Sequence, residues 1–98
     1  MRLEFHPEAA MELSQAAEFY ELQIPGLRDR FAAEVERATD ILCDQPLIGR
    51  PANWKLRQFT LRRFPFTLYY SATDECVRIE AVAHQRRRPR YWEKRFWR

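Results

Sequence analysis

The sequence predicts an α+β fold of the order β-α-α-β-β-β, in which an antiparallel sheet packs against a hairpin of two helices. The main observation is that the apolar period changes from about 3.6 residues in the first half of the chain to 2 after Lys55. A hydrophobic content of 46% with only two glycines is typical of a chain that folds. Because neither a repeat nor a linker interrupts the 98 residues, we expect one domain over residues 1–98.

The first half of the chain predicts a short strand and two amphipathic helices. Residues 2–6 alternate between polar and apolar, and Pro7 suits the first turn of a helix that extends to about Leu22. Residues 24–26, Ile-Pro-Gly, interrupt this helix, and a second one begins near Leu27. The apolar stripes consist of Ala9, Leu13, Ala16 and Tyr20 in the first helix and of Leu27, Phe31, Val35, Ala38 and Leu42 in the second. The opposite, polar face of the first helix is expected to carry Glu12, Glu18 and Glu21.

The second half of the chain predicts three strands that alternate between polar and apolar residues. They begin near Lys55, Phe64 and Val77, and residues 72–75 form a turn between the last two. Short connections favour an antiparallel meander whose apolar face packs on the helices. In the last strand, one face is assigned Val77, Ile79, Ala81 and Ala83 and the other Arg78, Glu80, Val82 and His84. The core is expected to contain Leu13, Phe31, Val35, Leu42, Phe66, Leu68 and Ile79.

Charge is divided unevenly along the chain, although the net charge is only +3. Residues 1–49 contain ten acidic and four basic residues, a net charge of −6, whereas residues 50–98 contain four acidic and thirteen basic residues, a net charge of +9. A concentrated positive field attracts phosphate backbones or acidic protein segments. The alternative is that these arginines are solvated surface charges without a partner.

The sequence does not indicate a metal site, a disulfide bond or a membrane-spanning segment. Cys43 and Cys76 lie 33 positions apart, and their spacings to His6 and His84 match no metal site, so we expect two reduced cysteines, no metal and no cofactor. The first ten residues contain no apolar signal region, and no apolar run is long enough to cross a bilayer. We therefore expect a cytoplasmic protein with no membrane partner.

The densest group of chemically active residues follows the last predicted strand. Residues 83–92, AHQRRRPRYW, contain one histidine, four arginines and two aromatic residues. Guanidinium groups bind phosphate, and aromatic rings provide surfaces on which unstacked bases can stack, which favours single-stranded RNA over duplex DNA. The alternative is a basic tail that binds an acidic protein or nothing at all.

The sequence resembles the RelE/ParE toxins of type II toxin-antitoxin systems. The resemblance covers nearly the whole chain and rests on the Pro25-Gly26 connection, a second helix that ends at residues 46–49, the strand pair LRRFPFTLYY and the ending IEAVAHQRRRPRYW. It implies a sheet-and-hairpin toxin that arrests growth and is neutralised by a tightly bound antitoxin. The RelE branch cuts messenger RNA in the ribosomal A site, and the ParE branch inhibits DNA gyrase.

The resemblance to the RelE branch implies roles for three residues in metal-independent RNA cleavage, in which the ribose 2′-hydroxyl is the nucleophile. Tyr91 falls where that branch has a catalytic or stacking tyrosine, Arg87 falls on a basic position, and His84 replaces a lysine and could act as acid or base. The alternative is structural, with His84 capping the strand and Tyr91 packing on the sheet with its hydroxyl in water. The residues implied in binding nucleic acid or another target are Lys55, Arg57, Arg62, Arg63, Arg86, Arg87, Arg88 and Arg90.

The ParE-like Pro25-Gly26 connection and one departure from the ribonuclease pattern favour the ParE branch. Gln85 stands where the RelE branch has an important arginine, although Arg86 could replace it after a shift of one residue. We therefore predict a gyrase-inhibiting toxin, with an mRNA endoribonuclease as the alternative and a non-toxic basic nucleic-acid-binding module as a further one. The expected partners are an antitoxin with an acidic or amphipathic segment and either DNA gyrase or the ribosome and its mRNA.

Overall fold

Two α-helices and five strands make up residues 1–96, the part of the chain that this computed structural model describes. In chain order the elements are β1 (Arg2–Phe5), α1 (Pro7–Gln23), α2 (Leu27–Asp44), β2 (Arg50–Pro51), β3 (Arg57–Thr60), β4 (Phe66–Ala72) and β5 (Cys76–His84), followed by a 3-10 turn at Glu93–Phe96. The predicted α+β class and the helical hairpin are confirmed.

The sheet is mixed rather than wholly antiparallel, and its strand order is β1-β5-β4-β3-β2. Strands β3, β4 and β5 form the predicted antiparallel meander. Strand β1 pairs with β5 in the parallel direction, because the helical hairpin carries the chain away before β5 returns beside it. The additional strand β2 has only two residues, too few to produce a periodic pattern in the sequence.

Local contacts stabilise the N-terminal end of each helix in the hairpin. Pro7 occupies the first turn of α1, and Nδ1 of His6 accepts a hydrogen bond of 3.0 Å from the backbone N–H of Glu8. Gly26 precedes α2 with φ of 90°, a left-handed conformation that glycine adopts without strain. The carboxylate of Glu21 accepts from the backbone N–H groups of Gly26 and Arg28, at 3.1 and 3.2 Å. These bonds fix the direction in which α2 leaves the turn.

A bulge in β5 reverses the side-chain alternation that the sequence predicts. Tyr69 pairs with Ala81 and Tyr70 with Ile79, so Glu80 is the extra residue. Val82 therefore joins Ile79 in the core beneath the helices, and Ala81 packs in a second cluster. The assignment of Ala81 and Val82 to faces from strict alternation was wrong, because one inserted residue shifts the period of everything after it.

The larger core lies between the sheet and the helical hairpin. Of the predicted core residues, Phe31, Val35, Leu42, Phe66, Leu68 and Ile79 are buried there. Leu13 is only partly buried and packs against the edge of this core. Tyr70, absent from the predicted core, is fully buried, and its hydroxyl donates to the carbonyl of Pro46 at 2.7 Å and accepts from the backbone N–H of Gly49 at 3.0 Å. Tyr70 thus ties the connection after α2 to the sheet.

Strand β5 extends beyond β1 and exposes part of its edge. Pairing with β1 ends at Phe5 and Ile79, and the backbone N–H of His6 adds one bond to the carbonyl of Ile79. Strand β5 continues to His84. The outward-facing backbone groups of Glu80 and Val82 therefore need partners from outside the sheet, because an unpaired buried backbone group is costly.

Truncating Phe31 to alanine is expected to lower the free energy of unfolding by about 3–5 kcal/mol, because its fully buried ring packs against Tyr20, Phe64 and Phe66. Phe19→Ala is the matched control, because Phe19 is 57% exposed, and its loss is expected to stay near 1 kcal/mol or below. Urea titration measures both values. Equal losses for the two variants would contradict the assigned helix face.

Candidate functional site

The segment after β5, residues 85–95, folds back over the face of the sheet opposite the helices. Its first turn is set by His84, whose carbonyl accepts from Arg87 N–H and whose Nδ1 accepts from Arg86 N–H, both at 3.0 Å. Trp92 is 3% exposed, packs with Leu56 and Ala81 and lies 4.5 Å from the Tyr69 ring, centroid to centroid. We call this anchored segment, residues 85–95, the basic tail.

Glu12 of α1 joins the basic tail to the exposed edge of β5. Oε1 of Glu12 accepts from the backbone N–H of Val82 at 2.9 Å, and Oε2 accepts from the Tyr91 hydroxyl at 2.6 Å. Both Nη atoms of Arg95 bond the same carboxylate, at 3.2 and 2.9 Å, and Nη1 also donates to the carbonyl of Glu80 at 2.8 Å. Glu12 and Arg95 together supply the hydrogen-bond partners for the backbone of Val82 and Glu80 that β1 is too short to provide. We call Glu12, Tyr91 and Arg95 the carboxylate network.

The carboxylate network holds an ionised Glu12 within the fold. Burial tends to raise the pKa of Glu12, but hydrogen bonds from Arg95, Tyr91 and Val82 outweigh it and hold the pKa below its ordinary value. Burial and the bond to Glu12 raise the pKa of Tyr91, so its hydroxyl stays protonated. Burial tends to lower the pKa of Arg95, but Glu12 raises it overall. The network therefore combines one carboxylate, one guanidinium and one neutral phenol.

Two guanidinium groups lie close to the ring of Tyr91. The central carbon of the Arg87 guanidinium lies 3.7 Å from the ring centroid, and that of Arg95 lies 5.3 Å away. Both distances suit cation–π attraction. Arg87 also approaches Glu12, with 3.9 Å between Nη1 and Oε2. Arg87 is therefore oriented by the carboxylate network while its side chain remains 53% exposed.

The three residues proposed for RNA cleavage line one small pocket. His84, Arg87 and Tyr91 surround a space of about 130 Å³ with other residues of the tail. The hydroxyl of Tyr91 is bonded to Glu12 rather than placed in water. His84 caps the turn after β5 through Nδ1, and its ring packs edge-to-face on Phe66 at 5.1 Å.

The remaining predicted binding residues divide among three places. Arg86, Arg88 and Arg90 are exposed along the basic tail. Arg62 and Arg63 lie in the β3–β4 connection and line a second, larger groove. At the far end of the sheet, Lys55 lies in the turn before β3, and Arg57 donates from Nη1 to the carbonyls of Leu47 and Gly49, at 3.3 and 2.8 Å. The structure thus does not form one continuous site from these residues.

The chain matches a known protein family over most of its length. The family model for the ParE toxin of type II toxin-antitoxin systems, parDE, matches residues 3–89. The chain belongs to the ParE toxin family. Solved structures similar to that of this ParE family toxin include a chain of the chromosomal ParDE toxin-antitoxin system from P. aeruginosa. The match has a TM-score of 0.71 and 19% identity and covers 86% of this chain and 95% of that chain. No curated protein matches.

The family match includes Glu12, His84 and Arg87 of the ParE family toxin and ends before Tyr91 and Arg95. The carboxylate network therefore connects the matched region to residues beyond it. Within residues 1–96, no three histidine, cysteine, aspartate or glutamate side chains are grouped as a metal site requires. In the same part of the chain, neither helix has the length and apolar character needed to span a membrane.

Glu12 and Arg95 of the ParE family toxin were not identified as site residues from the sequence, and the assignment of Glu12 to the polar face was wrong. Its side chain is only 12% exposed. A signal was present, because Ala9 and Ala16 lie three residues before and four residues after Glu12, and both are buried. Two small residues on either side of a carboxylate on one helical face indicate a close approach to another element. No comparable pattern in the sequence indicates that Arg95 is a site residue.

Glu12→Gln is expected to lower the free energy of unfolding of the ParE family toxin by about 3 kcal/mol, because the amide removes the charge that compensates buried Arg95. Glu18→Gln on the exposed face of α1 is the matched control, with an expected change within about 0.5 kcal/mol. Urea unfolding of both variants at neutral pH measures the difference. A loss for Glu12→Gln no larger than that of the control would show that the network contributes little to folding.

The stabilisation by Glu12 is expected to depend on pH, with loss in acid. The folded-state pKa of Glu12 lies below its ordinary value of 4.5, so the unfolded state takes up the proton first as pH falls. The difference in stability between wild type and Glu12→Gln should therefore be full above about pH 4.5 and should decrease as pH falls through the folded-state pKa. Unfolding titrations from pH 7 to pH 3 test this. A difference that grew in acid would have the wrong sign.

Proposed function

We propose that this type II toxin arrests growth by inhibiting DNA gyrase, the activity that the ParE branch implies. The observation that carries the proposal is the bond between Tyr91 and Glu12. RNA cleavage with a catalytic Tyr91 would require its hydroxyl beside a phosphate, whereas here the hydroxyl donates to a carboxylate at 2.6 Å. The family match to ParE toxins over residues 3–89 supports the same branch.

The electrostatics of the carboxylate network also oppose phosphate chemistry at Tyr91. An RNA phosphate at the Tyr91 hydroxyl would lie beside the ionised carboxylate of Glu12, which repels it. Arg87 lies 3.9 Å from the same carboxylate, so part of its charge is already compensated. With Gln85 at the position of an important RelE arginine, these contacts favour a structural role for Tyr91.

The basic tail instead suits binding to an acidic surface. Arg86, Arg88 and Arg90 are exposed, and the tail that presents them is anchored by buried Trp92 and by the carboxylate network. An anchored segment loses little conformational entropy on binding. We propose that these arginines contact DNA gyrase, which places the toxin in the cytoplasm with its target.

We further propose that the toxin is neutralised by a cognate antitoxin that carries an acidic or amphipathic segment. The net charge of +9 on residues 50–98 is the attraction that such a segment would complement. The similar chain from P. aeruginosa belongs to a ParDE toxin-antitoxin system. A bound antitoxin would also add apolar burial to a small core.

Arg88→Glu is expected to weaken gyrase inhibition about tenfold, or roughly 1.4 kcal/mol, because it reverses an exposed charge of the basic tail. Arg50→Glu is the matched control, since Arg50 is exposed on β2 at the opposite edge of the sheet from β1. Supercoiling by purified gyrase, titrated with each toxin, measures the change. Wild-type toxin without effect on supercoiling would overturn the gyrase proposal.

The alternative function, cleavage of mRNA on the ribosome, is favoured by one observation: His84, Arg87 and Tyr91 line the same pocket. Tyr91→Phe separates the two functions. We expect this variant to lose about 1–2 kcal/mol of stability through the missing bond to Glu12 and to keep its inhibition of gyrase at temperatures where it is folded. Ribosome-dependent transcript cleavage by wild type that disappears in a stably folded Tyr91→Phe would instead establish the ribonuclease.

A further inference from the structure

The turn between β2 and β3 presents a tryptophan to solvent. Of the large apolar side chains that the structure describes, that of Trp54 is the most exposed, at 85%. Trp54 lies in the connection between Pro51 of β2 and Arg57 of β3. We call residues 52–56 the tryptophan turn. An indole is among the largest surfaces that a side chain can bury, and tryptophan is enriched among the residues that dominate binding energy.

Hydrogen bonds of the backbone and of Asn53 fix the shape of the tryptophan turn. Oδ1 of Asn53 accepts from the backbone N–H groups of Lys55 and Leu56, at 2.8 and 2.7 Å. The carbonyl of Leu56 accepts from the backbone N–H of Ala52 at 2.8 Å. A turn that is already ordered loses little conformational entropy when a partner binds. The tryptophan turn thus holds the backbone of Trp54 in one position before any contact is made.

The tryptophan turn packs against the same core cluster as the basic tail. Leu56, at the end of the turn, is buried in one cluster with Trp92, the anchor of the tail. Ala52, at the start of the turn, and Tyr91 of the tail pack against that cluster. Both ends of the turn are therefore attached to the face of the sheet over which the tail folds. The contact proposed for the basic tail continues onto the tryptophan turn.

The charge around the tryptophan turn determines the chemistry of the partner. No acidic residue occurs in the sequence between Asp44 and Asp74, and exposed Lys55 follows Trp54 directly. A second copy of this face would bring like charges together, which disfavours a symmetric dimer here. An indole among cations instead suits an apolar pocket that carboxylates border, since the pocket buries the ring and the carboxylates meet the cations.

We infer that Trp54 is the anchor residue of the contact with DNA gyrase and that its indole enters an apolar pocket of the enzyme with an acidic rim. This inference rests on the proposed inhibition of gyrase. Stacking on DNA would require unpaired or unstacked bases, whereas a pocket of a folded protein receives the ring without that cost. The tail arginines supply charge, which salt screens, and Trp54 supplies apolar burial, which salt does not weaken. Loss of the indole therefore shortens the lifetime of the complex.

The test titrates purified gyrase with full-length toxin variants and measures supercoiling. Trp54→Ser is expected to raise the concentration for half inhibition about tenfold or more, because the anchor is lost. Trp54→Phe keeps an aromatic ring and is expected to stay within about threefold of wild type. The matched control is Phe19→Ala, which removes an exposed aromatic ring from α1 and is expected to change inhibition less than about twofold. Urea unfolding of Trp54→Ser should match that of wild type, because the side chain is exposed.

Direct binding of the toxin to gyrase without DNA provides the second measurement. The factor in affinity that Trp54→Ser loses should be the same at low and high salt, whereas the factor that Arg88→Glu loses should decrease as salt screens its charge. Toxin that binds duplex DNA alone through Trp54, while Trp54→Ser binds gyrase as wild type does, would replace the protein pocket by a DNA contact and overturn the inference.

The remaining outcomes separate the anchor from the proposed function. Trp54→Ser that inhibits supercoiling as strongly as wild type would overturn the anchor and leave inhibition of gyrase intact. Inhibition by Trp54→Ser that returns to the wild-type value once corrected for its folded fraction would also overturn the anchor, because Trp54 would then act through stability. Wild-type toxin that leaves supercoiling unchanged would overturn the proposed function together with the anchor.

Discussion

The carboxylate of Glu12 closes an edge of the sheet that no strand covers. Strand β1 pairs with β5 only as far as Ile79, and β5 continues to His84. Glu12 accepts from the N–H of Val82, and Arg95, bonded to the same carboxylate, donates to the carbonyl of Glu80. One side chain of α1 thereby replaces part of a strand. The position of the tail, the orientation of Tyr91 and the placement of Arg87 all depend on it.

The two surfaces of the toxin differ in their chemistry. The basic tail presents arginines on a segment that buried Trp92 anchors to the sheet. The groove between the helical hairpin and the β3–β4 connection, which Arg62 and Arg63 line, presents aromatic surface together with charge. The tail thus suits a contact dominated by charge, whereas a contact in the groove would also bury apolar surface. His84 lies between them and borders both.

The sequence was sufficient to predict elements whose side chains repeat with a regular period. Both helices, the meander and six of the seven expected core residues follow from that period, since burial of one face selects it. Strand direction at β1 was not predictable, because a four-residue strand contains no information about its neighbour. The bulge at Glu80 was not predicted, because a single extra residue does not produce a periodic sequence pattern of its own.

The candidate site was predictable only in part, since its organising contacts join residues far apart in the chain. The density of arginines after β5 indicated where to look, and the structure places His84, Arg87 and Tyr91 around one pocket. The role of Glu12 depends on an aromatic residue 79 positions later and a guanidinium 83 positions later. Local patterning cannot pair such groups. Likewise, Arg57 was chosen for its charge, yet it holds two backbone carbonyls of the preceding connection.

The pairing of the first strand with the last affects how the toxin emerges during synthesis. Arg2 lies opposite Cys76, and Glu12 meets Arg95, so the first contact requires residue 76 and the second requires residue 95 to have left the ribosome exit tunnel. Until then β1 has no neighbour and the basic tail has no carboxylate to anchor it. Contacts of such long sequence separation also form slowly. A nascent toxin therefore lacks its anchored arginine surface until Arg95 can reach Glu12.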